Sequence, residues 1–255
     1  MLRSIGSGVI AYSGGVDSTF LCKVAFDVLG KNVLAVTAAS STYPQRELTE
    51  AKRIAKTIGI AHIVIKSEEL NIKNFTENPP DRCYYCKKTL FKKLRQLAKD
   101  HHFSKVLDGS NADDMYDYRP GGKARKELGV LSPLKDAGLT KADIRVLSRA
   151  LHLPTAEKPA AACLASRFPY GTKITKERLK QVESAEQFLR LLGVRQCRVR
   201  FHAEVARIEV PRDDFPVILA SSHRIIKQFK KLGFTYIALD LEGYRTGSLN
   251  EVLRK

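Results

Sequence analysis

The sequence predicts an α/β protein in which a parallel, doubly wound sheet is followed by a smaller α+β domain. Over 9–65, apolar runs alternate with amphipathic helical stretches, an order typical of a parallel sheet with helices on both faces. Beyond residue 159 the pattern changes to a helix, two strands of alternating hydrophobicity, a helix and a further strand. We therefore predict one domain at 1–158 and a second at 159–255.

The elements of the first domain follow from the spacing of apolar residues and from helix-ending signals. A buried strand begins at Val9, and a helix over 17–28 follows it. Gly59 is a typical helix end, so the next helix covers 44–59. The other predicted strands of this domain are 32–38, 61–65 and 105–108, and the other helices are 83–100 and 140–151.

The second domain has the mixed pattern of a small α+β fold. Its predicted helices cover 175–192 and 221–232. Its predicted strands cover 196–201, 206–210 and 236–240. We expect these strands to pair antiparallel, with the helices flanking the sheet.

Composition and charge narrow the classes of function. Lys and Arg number 44 and Asp and Glu 27, so the net charge is +17, which favours nucleic acid or a ligand with several phosphates. The basic residues are spread along the chain, so a general basic surface explains them as well. No apolar run approaches the ~20 residues of a membrane span, and the first strand begins too early for a signal peptide. We therefore expect a cytoplasmic protein.

The turn between the first strand and the first helix has the composition of an anion-binding loop. Two glycines leave backbone N–H groups unobstructed, hydroxyl groups add donors, and the helix end carries partial positive charge. The GxxxxGK[ST] motif of kinase-type P-loops is absent from the sequence. The turn suits a pyrophosphate group, and its predicted binding residues are Ser13, Gly14, Gly15, Asp17, Ser18 and Thr19.

A second loop, rich in carboxylates, follows the strand at 105–108. It begins at Gly109, and Asp113 with Asp114 could hold Mg²⁺ or the ribose and adenine side of a nucleotide. A solvated turn with an Asp cap explains the same residues equally well. The basic residues that follow, which could neutralise triphosphate charge or cover the site, are Arg119, Lys123 and Arg125.

Three of the five cysteines form the second informative pattern. Cys83 and Cys86 are spaced as Cys-x-x-Cys at a helix start, and Cys163 lies in a loop of small residues. A structural zinc site needs four ligands, and the sequence offers no second pair. Three thiolates suit an iron–sulfur cluster with one open iron, whereas Cys163 alone suits nucleophilic chemistry, with Arg167 favouring its thiolate form. The two remaining cysteines are predicted core residues, Cys22 and Cys197.

Several motifs together resemble the LarE-type ATP-dependent sulfur transferases, a branch of the PP-loop ATP pyrophosphatase superfamily that acts in assembly of the nickel-pincer nucleotide cofactor. They are SGGVDS at 13–18, DRCYYCK at 81–87, DGSNADD at 108–114, LGVLSPL at 128–134 and CLASRFPYG at 163–171. The resemblance runs nearly end to end, through EGYRTGSLN at 242–250. It implies an adenine nucleotide α-hydrolase-like PP-loop sheet in the first domain, and substrate binding and oligomerisation in the second.

The resemblance also implies a reaction. ATP, with Mg²⁺ near an acid such as Asp17, adenylates a carboxylate of a pyridinium-3,5-dicarboxylate mononucleotide; AMP leaves as sulfur attacks, and a thiocarboxylate forms. In one form of the family the sulfur comes from the cysteine matching Cys163, and in another from a sulfide bound to a [4Fe-4S] cluster. Because Cys83 and Cys86 are present with Cys163, this chain resembles the cluster-carrying form. The resemblance further implies a homo-oligomer.

The anionic substrate of such an enzyme needs cations, and Arg167, Arg198 and Arg200 are candidates. Alternation along the strand puts Arg198 and Arg200 on one face, where both could grip a phosphate. Two solvent-facing arginines explain that alternation as well. Glu186 matches a family acid linked to metal or phosphate, although on residue type alone a surface helix acid is the commoner explanation.

Three other functions fit part of the sequence. A PP-loop tRNA thiolase fits the net charge of +17, but we find no separate RNA-binding module and no basic strand studded with aromatic residues. An ammonia-dependent amidating ligase similar to NAD or GMP synthetase shares the loop but leaves the three cysteines unexplained. A non-catalytic nucleic-acid-binding module is disfavoured by the intact loop.

Overall fold

The computed structural model describes residues 1–115, 120–159 and 162–253, with no side-chain description for residue 115. The chain divides into two compact units. The first comprises Met1–Phe75 and Pro80–Ala161, and the second comprises Thr76–Pro79 and Ala162–Lys255. Among the described residues, none of the helices combines the length and hydrophobicity that crossing a membrane requires.

The first unit is built on a sheet of four parallel strands, which confirms the predicted α/β class. The strands are β1 (Gly8–Ala11), β2 (Val33–Ala39), β3 (Ala61–Lys66) and β4 (Lys105–Leu107), in the spatial order β3-β2-β1-β4. The helices of this part of the chain are α1 (Leu2–Ile5), α2 (Val16–Leu29), α3 (Gln45–Ile58), α4 (Lys73–Thr76), α5 (Arg82–Asp100), α6 (Gly121–Glu127), α7 (Pro133–Asp136) and α8 (Lys141–Ala150).

Helices cover both faces of this sheet. Successive residues of β1 point to opposite faces, so Val9 and Ile10 belong to different apolar cores. The core around Ile10 includes residues of α2, α3 and α8, and the core around Val9 includes residues of α5 and α6. This two-sided burial explains why the central strand β1 is an apolar run without polar alternation.

The strand order positions two loops at one edge of the sheet. β1 lies between β2 and β4. The chain first adds β2 and β3 on one side of β1 and later adds β4 on its other side. The carboxyl ends of parallel strands meet at one edge, and ligands bind where the winding direction reverses. The loops that follow β1 and β4 both begin at that point.

The second unit contains a three-stranded sheet with helices. Its strands are β5 (Arg198–His202), β6 (Val205–Glu209) and β7 (Tyr236–Leu239), and its helices are α9 (Lys176–Leu191), α10 (Phe215–Ala220) and α11 (Ser222–Lys231). β5 and β6 pair antiparallel, as expected, with Val199 opposite Ile208. β6 and β7 pair parallel, so the expectation of antiparallel pairing was wrong for β7. The connection from β6 to β7 contains α10 and α11, and a helical crossover of this kind is what a parallel pair requires.

Candidate functional site

The turn Ser13–Gly15, hereafter the Ser-Gly-Gly loop, leads directly from β1 into α2. Gly15 stands at the N-cap of α2 and offers no side chain to cap the first helical N–H groups, which suits them to an anion. The backbone N–H of Ser13 donates to Ser18 Oγ at 3.2 Å, and the two hydroxyl oxygens lie 3.1 Å apart. Ser13 is exposed, whereas Thr19 is fully buried.

Both the backbone conformation at position 14 and the space around it require a glycine. Its φ of +63° lies in the left-handed region that residues with a side chain rarely adopt. A Cβ at this position would also lie 2.9 Å from the Cβ of Ala51 on α3. The close approach of α3 therefore holds the loop in its bend.

Asp17 and Gly109 bring the loops after β1 and β4 together. Lys141 Nζ lies 2.5 Å from Asp17 Oδ2, and Asn111 Nδ2 donates to Asp17 Oδ1 at 3.3 Å. A Cβ at Gly109 would lie 3.0 Å from the backbone nitrogen of Ser18, so the second loop passes directly against the start of α2. The two loops predicted to bind nucleotide thus form one surface of the first unit.

The acidic residues of the second loop have protein partners. The exposed Asp113 accepts a hydrogen bond from the backbone N–H of Lys141 at 2.8 Å, at the start of α8. Asp108 is buried and accepts a hydrogen bond from Ser132 Oγ, which in turn accepts one from Arg125 Nη1 at 2.6 Å. Arg125 thus reaches this loop through Ser132. Arg119, predicted beside it, lies outside the described residues.

Two partners of the Ser-Gly-Gly loop carried no recognisable signal in the sequence. Tyr43 donates its hydroxyl hydrogen to the carbonyl oxygen of Ser13 at 2.7 Å. Lys158 donates from Nζ to the carbonyl oxygen of Gly14 at 3.0 Å. Both residues lie far from the loop in sequence, and only the fold brings them to it.

In the second unit, Cys163 lies at the start of residues 162–171, hereafter the cysteine loop. Its side chain is exposed, while Arg167 four residues later is only 2% exposed. Arg167 Nη1 donates to the carbonyl oxygens of Ala162 at 2.7 Å and Cys163 at 2.9 Å. The guanidinium therefore holds the backbone in place at Ala162 and Cys163.

Glu186 neutralises Arg167 in a bidentate ion pair, with 2.7 Å from Arg167 Nε to Oε1 and 3.0 Å from Nη2 to Oε2. Burial alone would raise the pKa of Glu186, but the charge of Arg167 outweighs it and lowers that pKa to about 2. Glu186 also accepts hydrogen bonds from Arg190 and from the backbone of Val199. It is 1% exposed, so the interpretation as a surface acid was wrong.

Arg198 and Arg200 project from β5 and are 5% and 6% exposed, so the solvent-facing interpretation was wrong for both. Arg200 forms a bidentate ion pair with Glu209 and donates from Nη1 to the carbonyl oxygen of Ser166 at 2.7 Å. Arg198 donates to the carbonyl oxygen of Cys197 at 2.8 Å. Burial and the nearby charge of Arg167 lower the pKa of Arg198.

The cysteines divide by burial as expected. Cys22 and Cys197 are fully buried, which confirms them as core residues, and burial raises the pKa of Cys197 to about 11. Cys83 is exposed and Cys86 is half-buried, and both lie at the N-terminal end of α5 in the first unit. Cys163 belongs to the second unit. Within the described residues, no three His, Cys, Asp or Glu side chains form a group that could hold a metal ion.

Comparison with known proteins gives consistent similarities along the chain. The family model described as NAD synthase matches residues 3–96. The pyridinium-3,5-bisthiocarboxylic acid mononucleotide synthase of Lactiplantibacillus plantarum is 40% identical over 100% of this chain and 92% of its own length. An uncharacterized protein of Synechocystis is 47% identical, covering 97% and 93% of the two chains. An uncharacterized protein of Methanocaldococcus jannaschii is 33% identical, covering 93% and 90%.

These similarities agree with the structural observations. The NAD synthase match covers β1, the Ser-Gly-Gly loop and α2. The similarity to the Lactiplantibacillus synthase continues through the cysteine loop and the second sheet. The chain therefore belongs to the family of pyridinium-3,5-bisthiocarboxylic acid mononucleotide synthases, the LarE-type sulfur transferases built on a PP-loop domain.

Proposed function

We propose that this protein is an ATP-dependent sulfur transferase that converts a carboxylate of a pyridinium-3,5-dicarboxylate mononucleotide into a thiocarboxylate. The observation that carries this proposal is the 40% identity over the whole chain to a synthase of the bisthiocarboxylic product. A carboxylate oxygen attacks the α-phosphorus of ATP and pyrophosphate leaves. Sulfur then attacks the acyl carbon of the adenylate, and AMP leaves.

In this proposal the Ser-Gly-Gly loop and the first turn of α2 bind the pyrophosphate part of ATP. The uncapped helix start supplies N–H donors, and Ser13 and Ser18 add hydroxyls beside them. Mg²⁺ in nucleotide sites takes one or two carboxylates together with phosphate oxygens, and Asp17 is the carboxylate placed to serve here. Its present partner, Lys141, would then be available to a phosphate.

A reaction assay tests the proposed function. Protein purified without oxygen is mixed with Mg²⁺, ATP, sulfide and the dicarboxylate mononucleotide, and the products are followed by mass spectrometry. The expected products are AMP, pyrophosphate and the thiocarboxylate. Ser18→Ala should slow AMP formation at least tenfold, because a hydrogen bond near developing charge is lost. Lys23→Met, in an ion pair with Asp27 farther along α2, is the matched control. Formation of ADP, or of AMP without the acceptor, contradicts the proposal.

We propose that the sulfur is delivered from a [4Fe-4S] cluster held by Cys83, Cys86 and Cys163. Three thiolate ligands would leave the fourth iron of such a cluster open to bind a sulfide. Anaerobically purified protein should contain about four irons per chain with matching acid-labile sulfide. Cys83→Ser should lose both, while Cys22→Ala, a core substitution, should keep them.

A colourless, iron-free protein would contradict the cluster and favour Cys163 as a consumed sulfur donor. Mass spectrometry after one turnover should then show loss of H₂S at Cys163. This outcome leaves the adenylation chemistry of the proposal intact, because the loop that binds ATP is separate in sequence from the three cysteines.

We propose that three buried arginines of the second unit, Arg167, Arg198 and Arg200, bind an anionic part of the substrate. Arg167, Arg190 and Arg198 surround the single carboxylate of Glu186, so positive charge is in excess there. Burial and repulsion from Arg167 both lower the pKa of Arg198, and an anion beside its guanidinium would offset that effect. Arg198→Met should weaken binding of the mononucleotide without changing binding of ATP.

We also propose for Glu186 the metal-linked role that the family resemblance implies. Measuring the iron and magnesium content of Glu186→Gln tests this role.

We propose that the protein is a cytoplasmic homo-oligomer. A monodisperse monomer in light scattering would contradict the oligomeric state.

The net charge of +17 favours one competing function, a tRNA thiolase. Thiolation of tRNA in the presence of ATP, without turnover of the mononucleotide, would establish that function instead.

A further inference from the structure

The ammonium group of Lys158 is buried behind the Ser-Gly-Gly loop. Its side chain is 8% exposed, and Nζ donates hydrogen bonds to the carbonyl oxygen of Gly14 at 3.0 Å and to Glu50 Oε2 at 2.8 Å. Glu47 Oε2 lies 2.7 Å away in an ion pair. Arg145 on α8 donates to the carbonyl oxygen of Lys158, so the segment that carries the lysine is itself held.

The hydrogen bond to Gly14 determines the orientation of the next peptide N–H. The Gly14–Gly15 peptide is planar and trans, so its C=O and N–H point in opposite directions. With the carbonyl oxygen held by Lys158, the N–H of Gly15 points to the other side of the loop. Among the described residues, none accepts a hydrogen bond from that N–H. A ligand on that side would find an oriented donor.

The charge of Lys158 is already balanced within the protein. Glu47 and Glu50 on α3 both contact its ammonium. Burial alone would raise the pKa of Glu47, but Lys158 and Arg46 outweigh it and hold that pKa below its ordinary value. The lysine therefore acts on the loop as a fixed donor rather than as an unpaired positive charge.

We propose that Lys158 is a positioning residue for ATP, which holds the Gly14 carbonyl so that the N–H of Gly15 donates to the pyrophosphate part of the nucleotide. This inference rests on the proposed function in one respect, because it takes the Ser-Gly-Gly loop to be the pyrophosphate site. The hydrogen bond forms between two groups of the protein and needs no ligand atom. The loop is thus preorganised, and no binding free energy is spent on orienting this peptide.

The test separates the hydrogen bond from the buried charge. Lys158→Met alone would leave Glu47 buried without its partner, so the test variant is Lys158→Met combined with Glu47→Gln. Glu47→Gln alone is the matched control, and Lys158→Arg restores a donor. Affinity for inorganic pyrophosphate with Mg²⁺ is measured by calorimetry, and urea unfolding measures stability. We expect the double variant to bind about tenfold more weakly, with the control and Lys158→Arg within about threefold of the parent protein.

The outcomes distinguish this inference from the proposed function. Equal affinity in the double variant and the parent protein overturns the positioning role and leaves the proposed function standing. An equal loss in Glu47→Gln alone overturns it too, because charge balance rather than the donor would then matter. Failure of the parent protein to bind pyrophosphate overturns the pyrophosphate site and, with it, this inference.

Discussion

At the residue scale, two buried arginines hold the cysteine loop from behind. Arg167 binds the carbonyl oxygens of Ala162 and Cys163, and Arg200 binds that of Ser166. Each guanidinium is neutralised by one buried carboxylate in bidentate geometry, which is the arrangement that offsets most of the cost of burying charge. The loop backbone is therefore rigidly placed while the Cys163 side chain stays exposed.

Removing one partner of such a pair should be costly. Glu186→Gln leaves Arg167 buried with its charge uncompensated, so we expect the second unit to lose about 3–5 kcal/mol of unfolding free energy. Urea unfolding followed by tyrosine fluorescence measures the loss. Glu204→Gln, at an exposed position in the turn between β5 and β6, is the control and should change stability by less than about 0.5 kcal/mol. A loss below about 1 kcal/mol in Glu186→Gln would show that the pair contributes little.

The same carboxylate should make stability depend on pH. The folded-state pKa of Glu186 is lowered from 4.5 to about 2, so its contribution is complete above about pH 4.5 and is lost as the pH falls toward 2. The difference in unfolding free energy between the parent protein and Glu186→Gln should therefore shrink on acidification. Urea titrations from about pH 5 to about pH 3 check this. A difference that stays constant over that range would contradict the lowered pKa.

At the element scale, the strand β1, the Ser-Gly-Gly loop and the helix α2 act together with α3. The tight bend needs a left-handed residue at Gly14, and Ala51 of α3 leaves no space for a side chain there. Tyr43, just before α3, binds the carbonyl oxygen of Ser13. Helix α3 thus supports the loop through packing and through a hydrogen bond.

A substitution at Gly14 should therefore cost more than backbone strain alone. Gly14→Ala combines a positive φ with the contact to Ala51, whereas Gly129→Ala has nearly the same φ of +61° and nothing within 4 Å of the added Cβ. We expect about 1 kcal/mol of destabilisation at Gly129 and about 2–4 kcal/mol at Gly14. Thermal unfolding checks both variants. Adding Ala51→Gly to Gly14→Ala should recover the difference, and failure to do so would contradict the steric explanation.

At the scale of the whole molecule, the chain enters the second unit twice. Residues Thr76–Pro79 belong to it, although the rest of the first 161 residues do not. Asn78 is fully buried with a φ of +56°, and its Nδ2 donates to the carbonyl oxygens of Phe168 and Pro169. Its own carbonyl oxygen accepts a hydrogen bond from Gly171. The second unit is therefore incomplete without this early segment.

Asn78→Ala should weaken a region more than 85 residues away in sequence. Two backbone carbonyls lose their donor, so we expect about 2 kcal/mol of local destabilisation. Hydrogen exchange with mass spectrometry should show faster exchange in peptides covering 168–174. Asn71→Ala, at an exposed asparagine whose side-chain amide donates to Glu68, is the control. Faster exchange confined to the neighbours of Asn78 in sequence would contradict this connection.

The sequence by itself determined the class of the first domain, the elements and the Ser-Gly-Gly loop. The spacing of apolar residues and the helix-ending residues predicted helices and strands whose ends lie within two residues of the observed ends. These signals succeed because they depend only on neighbouring residues in the sequence. The short helices α1, α4, α7 and α10 were missed. The pairing of β7 was predicted wrongly, since pairing direction depends on the path of the connection.

Only the tertiary structure decided the partners of the site residues. Burial of Glu186, Arg198 and Arg200 could not be derived from residue type, because charged residues are mostly exposed and become buried only when a distant partner neutralises them. Lys158 and Asn78 reach their loops from distant parts of the sequence and belong to no local pattern. Local sequence determines elements and motifs, whereas the hydrogen bonds that orient those motifs arise from long-range packing, which a single sequence does not display.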